Sequence, residues 1–355
     1  MALAALLLGA CAFDGPWSRQ LAHAHAAASA ATLCVRQHGA EHAGRALQRE
    51  LARVEGRWVS HASEGLVTAA LLSSTEELRA AGMEYEGELD AHHPAVLGLA
   101  CSPNDGAYAY ASLDGGTRVV RRRSVSGDAI SAEIKGEVEG EIEGEIAEIS
   151  EAQLGSASAR ANVLHLPPET GAPCAEVDAM LHHLQEVGLG MPLELVRGRG
   201  GVGEGLIAVV LGTVDVHISP PSRFLAQEAS PPPEVLCAFE LLLREAGGVL
   251  SDACGEPIEL LAEVGAHLYS SSGAGAVRSA VPLRGLMATE EHMAPYFARA
   301  TRACFPAAKG EIDAFLDQLR LADKFSKGFA GDAKIVDEEG YEVRNPTPDP
   351  NQPRL

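Results

Sequence analysis

Apolar residues recur at helical spacing through residues 17–53, where Leu21, Ala24, Ala28, Ala31, Leu33 and Val35 form one stripe. The spacing predicts a helix, broken near Gly39. The run "EGLVTAALLSSTEELRAA", residues 64–81, predicts a second helix. "PAVLGLACSP" and "GAYAYASLDGGTRVVRRR" then predict successive strands, punctuated by Pro94, Pro103, Asp105-Gly106 and Gly115-Gly116.

The pattern changes at "SAEIKGEVEGEIEGEIAEISE". Ile134, Val138, Ile142 and Ile146 recur every four residues, with Gly136, Gly140 and Gly144 between them. In a helix each of those glycines costs about 1 kcal/mol relative to alanine. In a strand one face would stack Lys135 among glutamates. Neither state suits the sequence, so residues 131–160 are expected to form a solvated, mobile insertion. The alternative is an acidic docking or calcium-collecting segment, although EF-hand spacing is lacking.

Beyond it, α and β patterns alternate. "NVLHLP" predicts a strand, "CAEVDAMLHHLQEVG" a helix and "LELVRG" a strand; "GEGLIAVVLG" predicts a short helix and "TVDVHIS" a strand. "PPEVLCAFELLLREAGG" predicts a helix ended by Gly247 or Gly248, followed by a strand within "VLSDACGEPIEL". The expected organisation is an apolar segment over 1–16, an α+β domain over 17–130 and the insertion over 131–160. An α/β domain follows over 161–304, then a helix and proline-rich tail over 305–355.

Composition narrows the function. Of 355 residues, 28 are Lys or Arg and 49 are Asp or Glu, a formal net charge of −21. Such a surface repels nucleic acid and anionic lipid, and a small anionic substrate needs a local cation, such as a metal. Aromatic residues make up only 5%, so Ala, Leu and Val must build the core. Seven scattered cysteines without any C-x-x-C suggest free thiols in a reducing compartment. "MALAALLLGACA" is too short to span a bilayer and lacks a basic flank, so a cytoplasmic or organellar location is expected. A secretory signal there is the alternative to a buried first helix.

"RGRGGVGEG", residues 197–205, contains G-x-G-x-x-G at Gly198, Gly200 and Gly203. A dinucleotide loop needs a full helix after the glycines and an acidic residue at the end of the next strand. Here Gly212 breaks the apolar run early, Asp215 is expected inside the strand, and no preceding βα units of a doubly wound sheet are expected. The dinucleotide reading fails on context.

Taken with its surroundings, the loop fits another pattern. "LELVRGRGGVGEGLIAVVLGTVDVHIS", "CAFELLLREAGGVLSDACGEPIEL" and "LRGLMATEEHM" resemble the C-terminal half of the inositol monophosphatase superfamily. The similarity is nearest to the branch that hydrolyses 3′-phosphoadenosine 5′-phosphate, the bisphosphate nucleotidases. Four features occur in order, at Gly200 to Gly203, Gly212 to Val216, Glu245 to Pro257 and Gly285 to Thr289. "PAVLGLACSPNDGAYAYASLDGG" resembles the family's N-terminal hairpin. The resemblance implies an α/β layered sandwich of helices and two sheets, and Mg²⁺-dependent hydrolysis of a small phosphorylated metabolite. It places Gly200, Gly201, Gly203 and Glu204 beside the substrate.

The family's metal carboxylates come from a Glu-Glu pair, a D-P-[LI]-D-[GA]-T motif and a W-D at the start of the last long helix. By alignment His61-Ala62 replace the pair, Glu77 stands at the first motif aspartate, Ala80 at the second and Gly82 at the threonine. Val235 takes the place of the helix aspartate beside Glu234, and Gly205 that of a lysine which approaches phosphate in relatives. Glu77 and Glu234 are the remaining candidate metal ligands; no catalytic residue is assigned. Asp114 reads as a hairpin turn residue. The doublets His92-His93 and His182-His183, and His23 with His25, diverge on their elements and read as structural or surface groups. Two readings follow: a phosphatase whose Mg²⁺-dependent activity is weakened or lost, or a non-catalytic pseudophosphatase serving as scaffold or complex subunit. A protein partner or a second copy of the chain is left open, and no membrane span is expected.

Overall fold

The computed structural model describes residues 17–73, 94–103, 107–123, 146–152, 154, 162–166, 175–186, 193–197, 202–219, 231–260 and 285–304. All belong to one compact unit, Met1–Ala308; the second unit, Lys309–Leu355, lies outside the described residues.

The first periodic stretch forms α1 (Ser18–His38) and α2 (Ala40–Leu51). They part at Gly39, whose φ of 84° is the left-handed value that favours glycine. Ala24, Ala27, Ala28 and Ala31 are buried, and small side chains let the two helices and the sheet below approach closely.

That sheet is an antiparallel meander of β1 (Arg57–Ala62), β2 (Val67–Leu72), β3 (Ala95–Cys101), β4 (Tyr108–Ser112), β5 (Thr117–Arg123) and β6 (Ile146–Glu151), in that order. The expected helix over 64–81 is therefore corrected. Residues 67–72 are a strand with all six positions buried, while 74–81 lie outside the described residues. The sheet is covered on both sides, so β2 is apolar on both faces and its sequence lacks the alternation that marks a half-exposed strand. The acidic stretch also ends in structure, because Ile146–Glu151 pairs with β5 from Arg123 to Arg118.

The second sheet has the order β10-β11-β9-β7-β8. It comprises β7 (Asn162–Leu166), β8 (Leu193–Arg197), β9 (Val216–Ser219), β10 (Gly248–Ser251) and β11 (Leu286–Glu290). Between them run α3 (Ala175–Glu186), α4 (Val202–Val210) and α5 (Pro233–Arg244), with α6 (Ala294–Cys304) last. Strand β7 is parallel to both β8 and β9, so β7-α3-β8 is a βα unit ahead of the glycine loop, contrary to expectation. The dinucleotide pattern still fails: β9 next pairs antiparallel with β11, and it ends on Ser219. Asp215 precedes β9 and is not in its interior.

Three clusters of buried side chains define the layers. Leu21, Leu47 and Leu51 of α1 and α2 meet Leu71, Leu99 and Tyr110 on one face of the six-stranded sheet. Phe239, Leu241 and Leu242 of α5 and Leu206 of α4 meet Ala70, Ala100 and Ala109 on the other, together with Leu286 and Ala288 of the second sheet. Leu164, Val216 and Met287 on the far face of that sheet pack on Met180 of α3 and Phe297 of α6. The architecture is an α/β sandwich in the order helices, sheet, helices, sheet, helices.

Helix α5 sits in the middle layer and is the most buried. It crosses β3 at Gly98, where an added Cβ would lie 2.9 Å from the Ala238 carbonyl oxygen. Only glycine allows strand and helix backbone to approach this closely.

Candidate functional site

The stretches that carried the family resemblance have clear local roles. Glu245, first residue of "EAGG", accepts the backbone N–H groups of Asp114 (3.2 Å) and Gly116 (3.0 Å) in the β4–β5 turn. Thr117 adds a bond from its hydroxyl to the Leu242 carbonyl, 2.7 Å. The C-terminal end of α5 is thus fastened to the hairpin, and Asp114, with φ of 59°, is the turn residue expected. Burial pushes the Glu245 carboxyl above its ordinary value, opposed by these two backbone N–H groups. In "DACGEP", Asp252 Oδ1 accepts the N–H groups of Cys254 and Glu256, each at 2.9 Å, which turns the chain after β10. Asp215 Oδ2 accepts Val163 N–H at 2.7 Å, and its carbonyl accepts the Thr289 hydroxyl at 3.1 Å, tying β9 to both neighbours.

The glycine loop leads into α4. Gly200 and Gly201 lie outside the described residues. Gly203 faces the β1–β2 turn, where an added Cβ would stand 2.9 Å from Leu66 Cδ2. Ser63 N–H donates to the Leu66 carbonyl at 2.7 Å, closing that turn directly after His61-Ala62. The structure therefore brings the start of α4 to the turn that carries the position of the expected Glu-Glu pair. Glu204 is solvent-exposed on the first turn of α4.

Gly205 covers a feature that periodicity did not flag. His165 on β7 and His217 on β9 are direct register partners on parallel strands. Their Nδ1 atoms are 2.9 Å apart, and both residues are at most 2% exposed. One ring must carry its proton on Nδ1 and donate, while the other accepts. Burial first, and then the neighbouring His165 ring, lower the His217 pKa to about 3. His165 is also lowered by burial, with Glu204 acting the other way. An added Cβ at Gly205 would stand 2.2 Å from His217 Nδ1 and 2.5 Å from His165 Nδ1. A side chain at this position has no room. The available signal was a histidine within each of two apolar strands, "VLHLP" and "VDVHIS".

Of the two candidate metal ligands, the described residues include only Glu234. Glu77 lies outside the described residues. Glu234 is buried in the first turn of α5, on the same helix as Cys237 and Glu240. Burial, then the Glu240 and Glu234 carboxylates, raise the Cys237 thiol, with Arg57 opposing. Val235 is fully buried within the central core. Mg²⁺ requires several converging oxygen donors. A histidine-alanine pair and a core valine do not supply them, and among the described residues no three His, Cys, Asp or Glu side chains gather to hold an ion. The described residues do not fit a Mg²⁺ centre.

Other histidines have structural places. His23 Nε2 is 2.9 Å from the Glu50 carbonyl and joins α1 to α2. His25 packs edge-on against Tyr108, centroids 4.6 Å apart. His182 and His183 lie on α3, and His92-His93 are outside the described residues. Cys34, Cys101, Cys237, Cys254 and Cys304 are free thiols. Among the described residues, no helix is long and apolar enough to cross a membrane.

No family model matches the sequence, and no curated protein matches it. Solved structures similar to it include the extragenic suppressor protein suhB from Bartonella henselae, 15% identical, covering 81% of this chain and 100% of that one, TM-score 0.45. Mycobacterium tuberculosis SuhB is 12% identical, covering 82% and 99%, TM-score 0.47. Inositol monophosphatase-II from Staphylococcus aureus MSSA476 is 8% identical, covering 79% and 94%, TM-score 0.43.

Proposed function

We propose that this chain is an inositol-monophosphatase-like protein of the bisphosphate nucleotidase type in which Mg²⁺-dependent phosphomonoester hydrolysis is weakened or lost. Three observations support the reading. The motifs occur in the family's order, and the architecture is the helix-layered pair of sheets which that resemblance implies. The Glu245 fastener also gives a physical reason for "EAGG" and the glycine hairpin to occur together.

The observation that carries the loss of catalysis is Val235. It stands where the family's helix aspartate falls, and it is fully buried among apolar side chains. A metal aspartate has to face a cleft; a residue at this place faces the core. Gly205 adds to this, because the histidine pair fills the space into which a phosphate-seeking lysine would extend. The same two positions favour a non-catalytic role over a merely slow enzyme.

Calorimetric titration with Mg²⁺, alongside phosphate release from 3′-phosphoadenosine 5′-phosphate and inositol monophosphates, tests the proposal. Neither metal uptake nor release is expected. Mg²⁺-dependent turnover would overturn the loss of catalysis, and the class of substrate cleaved would fix the branch.

A further inference from the structure

We infer that His165 and His217 form an acid-sensitive catch that seats helix α4 on the second sheet: neutral and sharing one proton they hold it, and protonated they release it. The inference is independent of any catalytic activity. It rests first on geometry. The Nδ1–H···Nδ1 bond between two imidazoles 2.9 Å apart can form while the pair is neutral, or while it carries one extra proton. Both rings are buried, and among the described residues neither Nε2 atom has a hydrogen-bond partner. In the neutral pair one Nε2 bears a hydrogen and the other a lone pair. The incoming proton binds at that lone pair, leaving a cation with no acceptor at either outer nitrogen among the described residues. A second proton abolishes the Nδ1–Nδ1 bond and sets two like charges against each other.

The load falls on α4, because Gly205 lies directly over both Nδ1 atoms, with no side chain to cushion movement of the rings. Glu204 on α4 favours the protonated form of His165. Glu194 on β8 shares the strand face of His165 by register, and the carboxylate of Asp215, just before β9, is already engaged by Val163 N–H. The register partner of His217 on β11 is the uncharged Ala288. One exposed carboxylate does not offset the burial of two imidazoles, so the folded pair resists protons that the opened segment accepts at an ordinary pKa of about 6.5. At pH 5 each histidine protonated only in the opened form raises the opening equilibrium about 30-fold.

Amide hydrogen exchange on the full chain between pH 7.5 and 5.0, corrected for intrinsic rates, reads this directly. The expected result is loss of protection in residues 202–210 by about 30-fold or more, while β3 keeps its protection. Protection in 202–210 that does not change with pH, or that is lost together with β3, would overturn the catch. In the double variant His165→Gln, His217→Gln the pH dependence should vanish; its persistence would overturn the assignment. Should that variant not fold, ¹⁵N imidazole spectra of the natural chain decide. One Nδ1–H and one Nε2–H tautomer with no titration above pH 5 support the catch, and two rings titrating near pH 6.5 refute it.

Discussion

The substitution Gly205→Ala, compared with Gly203→Ala two residues earlier, isolates the packing of α4. Both glycines lie in one nine-residue helix, so both changes gain the same intrinsic preference, about 1 kcal/mol. Their surroundings differ. At 203 the new methyl would meet Leu66 Cδ2 at 2.9 Å, the far end of a flexible side chain that can turn away. At 205 it would meet two ring nitrogens at 2.2 and 2.5 Å, and His217 Cε1 at 2.8 Å. Those rings are buried and locked to each other. α4 must lift, at an overpacking cost of about 1–3 kcal/mol, and the rings must part and leave buried nitrogens unpaired, at a further ~1–3 kcal/mol. After the gain in helix preference, Gly205→Ala should destabilise by about 3 kcal/mol. Gly203→Ala should fall within about 1 kcal/mol of the natural chain. Urea unfolding followed by circular dichroism, with the slope held common, measures both. Equal midpoints for the two variants, or a stabilised Gly205→Ala, would refute the close seating of α4 on the histidines.

Gly98→Ala should destabilise by about 2 kcal/mol, because its methyl meets the Ala238 carbonyl, part of a helix backbone that cannot swing aside; a neutral result in the same unfolding assay would contradict the crossing. Burial holds His25 at about 4 against 6.5 when unfolded, so the unfolded chain takes up the proton first. The stability from neutral His25 is whole above pH 6.5 and drains as pH falls towards 4, by on the order of 3 kcal/mol. His25→Leu should flatten that slope relative to the natural chain, and parallel pH profiles would count against it. Val235→Asp should destabilise by more than about 3 kcal/mol, through an unpaired carboxylate placed in the core. A well-folded Val235→Asp that binds Mg²⁺ in calorimetry would instead place the start of α5 at an open cleft.

Much of the fold could be read from the sequence wherever an amphipathic stripe or flanking turn residues mark an element. The α1 stripe and its break at Gly39, the β3–β4–β5 hairpins and the alternation from Asn162 onward follow from periodicity and turn residues. Strand β2 was misread because burial on both faces erases the period of two, leaving an apolar run that suits a helix equally well. The site was partly legible. Val235 and Gly205 were identified as departures by comparison with the resemblance, while the reason for the glycine was not. It lies in two histidines that are 52 residues apart in sequence and meet only through parallel strand register. No local pattern carries such a pairing.

The central helix has a consequence for synthesis. By the time residue 151 leaves the ribosome, every strand of the antiparallel meander exists, yet Phe239, Leu241 and Leu242, which line its inner face, do not. At about 5–20 residues per second, the roughly 80 residues still to come before α5 take on the order of 10 s. For that interval Ala70, Ala100 and Ala109 form part of an apolar surface open to any partner. That surface finds its native cover only when Pro233–Arg244 arrives.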